Sequence, residues 1–179
     1  MADRDRAIRV ESAVRSHSAV LLAYFARRVD PPGEAADLLA ETLLILWRRA
    51  SALPQKDDEV RPWMFGIGRH VLLHHYRTAT RQHAITDRLR SILSATPHAG
   101  FADPTEHDDL HQALARLDQI DREIIGLIHW DGFSLVEVSR VLVMKEGTVR
   151  SRYHRARASL RQQLQLDNRP AESYPRRRP

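Results

Sequence analysis

The sequence contains no cysteine among its 179 residues. This absence excludes disulfide bonds, cysteine-ligated zinc or iron–sulfur sites, and cysteine nucleophiles. Only seven glycines are present, and none of them builds a phosphate loop, a dinucleotide fingerprint or a nucleophile elbow. We therefore expect a protein that is not an enzyme and that binds no cofactor.

Long apolar runs are also missing. Runs such as that at residues 43–47 are far short of the roughly 20 residues that span a bilayer. The first six residues mix acids with bases and precede no apolar stretch, which is not the pattern of a secretory signal. The sequence predicts a cytoplasmic protein without membrane insertion.

Charge is distributed in blocks. Residues 61–90 and 145–161 each contain six basic residues against one acid, whereas residues 103–123 contain seven acids against two arginines. Two basic stretches separated by an acidic one predict two separate contacts with a polyanion. The total of 28 basic to 23 acidic residues identifies no partner by itself, because a GC-rich genome also favours arginine.

Helical periodicity dominates the chain, and no segment alternates as a strand does. We expect helices at about 4–28, 34–51, 61–80, 107–116, 120–130, 134–142 and 146–165, with a loop at 53–60 and Pro62 in a first turn. The predicted fold class is all-α, with two small helical modules joined by a flexible linker. The predicted boundaries are 1–80, a linker at 81–106, a module at 107–166, and a disordered basic tail at 167–179.

The last two helices have the pattern of a helix-turn-helix. Ser134 and Glu137 form a capping box at the start of the first. The second has one apolar stripe, flanked by basic residues: Val149, Tyr153, Ala156, Leu160 and Leu164. Such a pair can place its second helix in a major groove while the first braces the backbone.

Four motifs occur here in order: residues 131–134 (Asp-Gly-Phe-Ser), 137–138 (Glu-Val), 146–152 (Glu-Gly-Thr-Val-Arg-Ser-Arg) and 154–157 (His-Arg-Ala-Arg). Together they resemble the promoter-binding module of bacterial sigma factors, specifically the extracytoplasmic-function (ECF) group of the sigma-70 family. The resemblance implies contacts with the upstream promoter element from Thr148, Arg150, Ser151, Arg152, His154 and Arg155.

This module departs from the family pattern at its turn. Val143 stands where the family usually has glycine, which suits a positive φ. A β-branched residue costs about 1 kcal/mol if that geometry is kept, which predicts a reshaped turn. Lys145, just before the last helix, offers no side-chain cap.

The second predicted helix has an apolar surface wider than one core stripe needs. The excess indicates a protein partner, the alternative being a helix buried on two sides within its own module. Residues 37–47 resemble the segment with which sigma factors bind the polymerase clamp helices, with Ala40 where the family commonly has glutamine. The resemblance implies core polymerase contacts from Asp37, Glu41, Thr42, Leu43, Leu44 and Arg48.

The third predicted helix looks like the one that reads the melted downstream element, and residues 55–60 occupy the position of the family's base-capturing loop. Unstacked bases are held by basic grooves and aromatic faces, although Trp63 fits a core position better. The resemblance implies DNA contacts from Asp58, Arg61, Arg69, His70, His74 and Arg77. His70 and His74 replace the family's usual asparagine and aspartate, which predicts an unusual downstream specificity.

Two histidine pairs have a spacing of four that could place two imidazoles on one metal, His70 with His74 and His107 with His111. The sequence places no third ligand beside either pair. We expect no metal site.

The resemblance as a whole implies an alternative sigma factor that brings core RNA polymerase to a two-part promoter and assists melting. Its implied partners are the polymerase clamp and flap regions, promoter DNA, and an anti-sigma factor that could hold it at the membrane. Two alternatives remain open: a dimeric repressor or activator with a ligand-binding N-terminal domain, and an adaptor that binds polymerase without reading promoters.

Overall fold

The computed structural model describes residues 2–93 and 108–167, with side chains described for residues 4–81 and 109–164. Within these ranges every regular element is helical, which confirms the predicted all-α class. The elements are α1 (Ala2–Ala26), α2 (Glu34–Arg48), a 3₁₀ turn (Ala50–Ala52), α3 (Asp57–Leu93), α4 (Asp108–Ala115), α5 (Gln119–His129), α6 (Leu135–Leu142) and α7 (Glu146–Asp167). None of these helices, over the part that is described, combines the length and apolar content needed to cross a bilayer.

Packing divides the chain into two units. The first contains α1, α2, α3 and α6, and the second contains α4, α5 and α7. Helix α6, which the sequence places beside α7 in a C-terminal module, thus packs in the first unit. Helix α3 continues to Leu93, so residues 81–93 of the predicted linker are helical. Residues 94–106 and the predicted tail beyond Asp167 lie outside the described residues.

The core of the first unit forms where α1 crosses α3. Tyr24 lies edge-on to both Phe25 and Phe65, with ring centroids 5.3 Å apart in each case. At Gly68 a Cβ atom would lie 3.0 Å from Leu21 Cδ1 and 3.1 Å from Phe25. The absent side chain therefore lets the two helices approach closely. A second apolar cluster joins α1, α2 and α3 through Val10, Ala13, Leu46, Leu53, Val60, Met64 and Ile67.

The start of α3 corrects the predicted loop at 53–60. The helix begins at Asp57, so the loop is shorter and Pro62 is an interior residue, not part of the first turn. Three acids, Asp57, Asp58 and Glu59, occupy the first turn. Their negative charges interact favourably with the positive end of the helix dipole. The segment therefore forms a helix although its composition is typical of a loop.

Two polar networks hold the second unit together. The Asp118 carboxylate caps α5 by accepting a hydrogen bond from the Ile120 amide at 2.9 Å. Arg122 donates to the carbonyls of Leu114 and Ala115, at 2.9 and 2.7 Å, and so closes the carboxyl end of α4. An apolar cluster then seats α7 on these helices through Leu114, Leu117, Ile125 and Ala156.

Candidate nucleic-acid and polymerase interfaces

The capping box at the start of α6 is confirmed. The Ser134 amide donates to Glu137 Oε2 at 2.8 Å, and the Glu137 amide donates to Ser134 Oγ at 3.3 Å. This reciprocal pair satisfies two amides that a helix start otherwise leaves without partners. The first turn of the predicted brace helix is thus fixed by its own sequence.

The predicted reshaping of the turn after α6 is wrong, because Val143 keeps the left-handed conformation that glycine would supply. Its φ and ψ are 53° and 49°. The Met144 amide donates to the Ser139 carbonyl at 2.9 Å, which satisfies an acceptor at the helix end. The Val143 side chain is 90% exposed, so the main cost at this position is that of its own backbone, about 1–2 kcal/mol.

Helix α7 presents an open polar face. Val149 and Ala156 are buried, which turns the opposite side of the helix to solvent. Arg150 forms an ion pair with Glu146 one turn earlier, at 2.9 Å, with both side chains half-exposed. Five of the six residues predicted to contact the upstream element are exposed on α7: Thr148, Arg150, Ser151, His154 and Arg155.

Arg152, the sixth, has a different environment from the other five. Its guanidinium lies 2.5 Å from Asp118 Oδ1 and 2.7 Å from Asp121 Oδ1, and its side chain is 25% exposed. The side chain therefore joins α7 to the start of α5 and does not lie on the open face of α7.

The described part of α3 carries its predicted DNA residues in two groups. His70, His74 and Arg77 are exposed, and Arg69 is half-buried. Arg69, His70 and His74 line one groove. Asp58 and Arg61 lie nearer the start of the helix. There the Arg61 guanidinium stacks on Phe133, 4.2 Å from its ring centroid, and Asp58 accepts a hydrogen bond from Arg140 at 3.4 Å.

The groove has a volume of about 690 Å³ and is bounded by α2, α3 and α6. This volume lies within the range of ordinary ligand pockets. Trp63 forms part of the wall while also packing against the core cluster. The sequence analysis missed Arg49 and Arg140, which line the same groove. Arg49 directly follows the last turn of α2, but only the folded structure brings Arg140 to α3.

His17 lies half-buried in the first unit. Burial of the imidazole, and secondly the positive charge of Arg61, lower the pKa of His17 below its usual value. The neutral form therefore suits this position beside the guanidinium.

Helix α2 turns apolar side chains outward as well as inward. Leu38 and Leu46 are buried, whereas Leu44 is 60% exposed and Trp47 is 59% exposed. The alternative of a helix buried on both sides therefore does not hold for Leu44 and Trp47. Among the predicted polymerase contacts, Asp37, Glu41, Leu44 and Arg48 are exposed and Leu43 is half-buried.

Thr42 is the exception among these predicted contacts. It is 0% exposed, and its hydroxyl donates to the Leu38 carbonyl at 2.7 Å. The side chain is enclosed by its own unit.

The described residues contain no group of three histidine, aspartate or glutamate side chains that could hold a metal ion. His70 and His74 both line the groove. His107, of the second predicted pair, lies outside the described residues.

Comparison with known proteins divides the chain differently, since it groups α6 with α4, α5 and α7. The family model Sigma-70 region 2 matches residues 13–82, and Sigma-70, region 4 matches residues 107–160. The chain is 29% identical to the ECF RNA polymerase sigma factor SigL of Mycobacterium tuberculosis, over 83% of this chain and 85% of that protein. It is 32% identical to the RNA polymerase sigma-E factor of Streptomyces avermitilis, over 94% and 93% respectively.

Two solved structures share the fold. One is the sigma factor RpoE from Bartonella quintana in complex with the anti-sigma factor NepR, with a TM-score of 0.63, 23% identity, and coverage of 88% of this chain and 98% of that one. The other is CnrH in complex with the cytosolic domain of CnrY, with a TM-score of 0.62, 23% identity, and coverage of 94% and 100%. With two family domains matched over most of its length, the chain belongs to the ECF group of the sigma-70 family, and it is an alternative sigma factor, not an enzyme, that directs RNA polymerase to promoters.

Proposed function

We propose that three surfaces, on α2, α7 and α3, have separate roles in transcription initiation. Helix α2 binds the clamp of core polymerase, α7 reads the upstream promoter element, and α3 holds the melted downstream strand. The observation that carries this proposal is the outward-facing pair Leu44 and Trp47 on α2. An exposed apolar pair of this kind supports a protein partner, and the resemblance of α2 to the clamp-binding segment identifies that partner as core polymerase.

The α2 surface has the composition of a protein interface. Leu44 and Trp47 supply an apolar centre, and Asp37, Glu41 and Arg48 supply a charged rim. Interfaces of this kind gain most of their affinity from a few apolar or aromatic anchors, while the rim guides orientation. Thr42 contributes from within, by packing α2 against its own unit.

The α7 surface supports reading of duplex DNA. Arg150 and Arg155 can donate to guanine edges or to phosphates, and Ser151 and His154 add shorter donors beside them. Thr148 lies at the first turn of the helix. The ion pair between Arg150 and Glu146 is exposed, so it costs little to exchange for a DNA contact.

The α3 groove supports capture of an unstacked strand and hence assistance in melting. Arg49, Arg69 and the two imidazoles of His70 and His74 surround it, and Trp63 offers an aromatic wall. Basic groups that follow a backbone, combined with an aromatic face for a base, are the usual means of holding single-stranded nucleic acid. Asp58 and Arg61 extend this surface toward the start of α3.

Regulation and location follow from the same proposal. The related RpoE structure contains the anti-sigma factor NepR, and we infer that a partner of this class controls the present chain. We further propose that the chain works in the cytoplasm, that an anti-sigma partner can hold it at the membrane, and that the second unit contacts the polymerase flap.

The test is run-off transcription on the native genome with purified core polymerase, with and without the chain, followed by sequencing of the transcript ends. We expect discrete start sites that appear only when the chain is added, each preceded by a shared two-part sequence. Start sites identical to those of core polymerase alone would refute the proposal. A dimer with tight DNA binding in the absence of polymerase would instead support the repressor alternative.

A further inference from the structure

The groove between α2, α3 and α6 has the size and the access of a small-molecule site. Its volume is about 690 Å³, within the range of pockets that hold organic ligands. His70 and His74 line it and are exposed, so it opens to solvent. All three walls belong to the first unit. Its lining includes a set of apolar side chains: Ile45, Trp63, Ile67, Val71 and Leu142.

Positive charge predominates in this lining. Three guanidiniums line the groove, those of Arg49, Arg69 and Arg140. Among the described residues that line it, one carboxylate, that of Glu41, opposes them. Arg140 also lies 3.4 Å from Asp58 Oδ2, so part of its charge is offset within the protein. The remaining excess of positive charge favours an anionic occupant.

An organic phosphate matches this charge better than a carboxylic acid does. A phosphate monoester carries a charge of about −1.5 to −2 near pH 7 and has three acceptor oxygens. Several guanidiniums can bind it at once through charge-assisted hydrogen bonds. A carboxylate has a single charge and two oxygens, which leaves donors of the groove without a partner.

The apolar lining favours a flat ring attached to that phosphate. Trp63 lines the groove while it packs against the core cluster, so its position is fixed before a ligand binds. Bases stack on aromatic side chains whatever their identity, because every base has a π-face. The Glu41 carboxylate can accept a hydrogen bond from a sugar hydroxyl or an exocyclic amino group.

We propose that this groove binds a free mononucleotide, with the phosphate on the arginines and the base against Trp63. A nucleotide of the melted strand offers the same chemistry, but a free one needs neither polymerase nor promoter. Bound mononucleotide stabilises the folded chain by mass action. It also occupies the surface proposed for the melted strand, and only this second effect rests on the proposed function of α3.

Calorimetric titration of the full chain with adenosine 5′-monophosphate measures the affinity. Adenosine lacks the phosphate, and ribose 5-phosphate lacks the base. Because each retains only half of the recognition, each should bind at least about tenfold more weakly than the nucleotide. Equal affinity for ribose 5-phosphate and the nucleotide would overturn the proposal, since it would show attraction of any phosphate to a basic surface.

Fluorescence places the base in the groove. The chain has three tryptophans, so Trp47→Phe combined with Trp130→Phe leaves Trp63 as its single indole. Adenosine 5′-monophosphate should quench this indole along a saturable curve, with excitation at wavelengths that the base does not absorb. Binding by calorimetry without quenching would contradict the assigned position of the base.

Substitutions separate the phosphate contact from the base contact. Arg49→Gln should weaken binding of the nucleotide by about tenfold, through loss of a charge-assisted hydrogen bond, and leave adenosine binding unchanged. Arg15→Gln, at an exposed arginine of α1 outside the groove, is the matched control and should change neither. Trp63→Leu should weaken binding of both ligands. Circular dichroism establishes that each variant is folded, and should Trp63→Leu fail to fold, Arg49→Gln decides the result.

Two further outcomes would refute the nucleotide site: no binding at millimolar nucleotide, or tighter binding of decanoate, which would indicate a site for apolar acids. These measurements use no polymerase and no promoter, so they stand whatever the run-off experiment shows. Competition is tested separately, with a fluorescent single strand from a promoter mapped by run-off transcription. Saturating nucleotide should weaken its binding, and an unchanged affinity would overturn the competition while leaving the nucleotide site in place.

Discussion

Arg152 on α7 contacts Asp121 near the start of α5, with 2.7 Å between the guanidinium Nε and the carboxylate Oδ1. The same guanidinium meets Asp118, which also caps α5. One arginine thus fixes α7 to the amino-terminal end of α5. Rotation of α7 about its axis is constrained by this contact and by the burial of Ala156 in the apolar cluster.

Arg152→Gln should therefore act on folding more than on phosphate contact. Loss of its ion pairs with Asp121, which is 20% exposed, and Asp118, which is 59% exposed, should lower the free energy of unfolding by about 1 kcal/mol, measured by urea denaturation. Promoter binding by the holoenzyme should weaken with little change in its salt dependence. Arg155→Gln, on the exposed face, should reverse this pattern, leaving stability unchanged and reducing the salt slope by about one.

Leu44→Asp and Trp47→Asp should each weaken binding to core polymerase by about tenfold or more, because they place a charge at the centre of an apolar interface. Fluorescence anisotropy of a labelled chain titrated with core polymerase measures the effect. Val20→Asp is the matched control, since Val20 is an exposed apolar residue of α1. Equal losses in all three variants would argue against a specific α2 surface.

Thr42→Val distinguishes a packing role from a polymerase contact. The hydroxyl is satisfied within its own helix, and valine has nearly the same shape without that hydrogen bond. We expect a change in the free energy of unfolding of no more than about 1 kcal/mol and unchanged affinity for core polymerase. A large loss of affinity with normal stability would show that the residue meets polymerase after all.

Val143→Gly should stabilise the chain by about 1 kcal/mol, because glycine adopts the observed left-handed backbone without strain. The matched substitution Val136→Gly lies inside α6 at another exposed position. There it should destabilise by about 0.5–1 kcal/mol, since glycine loses more backbone entropy in a helix. Opposite signs in urea denaturation would confirm that the effect at Val143 comes from its φ.

Local patterns predicted the helices and the capping box because these depend on neighbouring residues. Periodicity placed Val149 and Ala156 on one buried stripe, and both are buried. It could not foresee that Arg152 pairs with two aspartates of α5, or that Arg140 lies against α3, because those contacts join distant parts of the chain. The predicted start of α3 was too late for a different reason. The acidic segment has a composition typical of a loop, but the helix dipole favours acidic residues in a first turn.

His17 should make the free energy of unfolding decrease as the pH falls, because of its environment in the folded chain. Burial and the charge of Arg61 lower the pKa of His17 in the folded chain, so between that value and the unfolded value, near 6.5, the unfolded chain binds more protons. The contribution of neutral His17 to the free energy of unfolding is complete above about pH 6.5 and is lost progressively as the pH falls below that value. Urea midpoints for the natural chain should therefore drop from pH 7.5 to pH 5.5 by more than those of His17→Gln, which cannot titrate. Equal drops in the two proteins would assign the acid sensitivity to other groups.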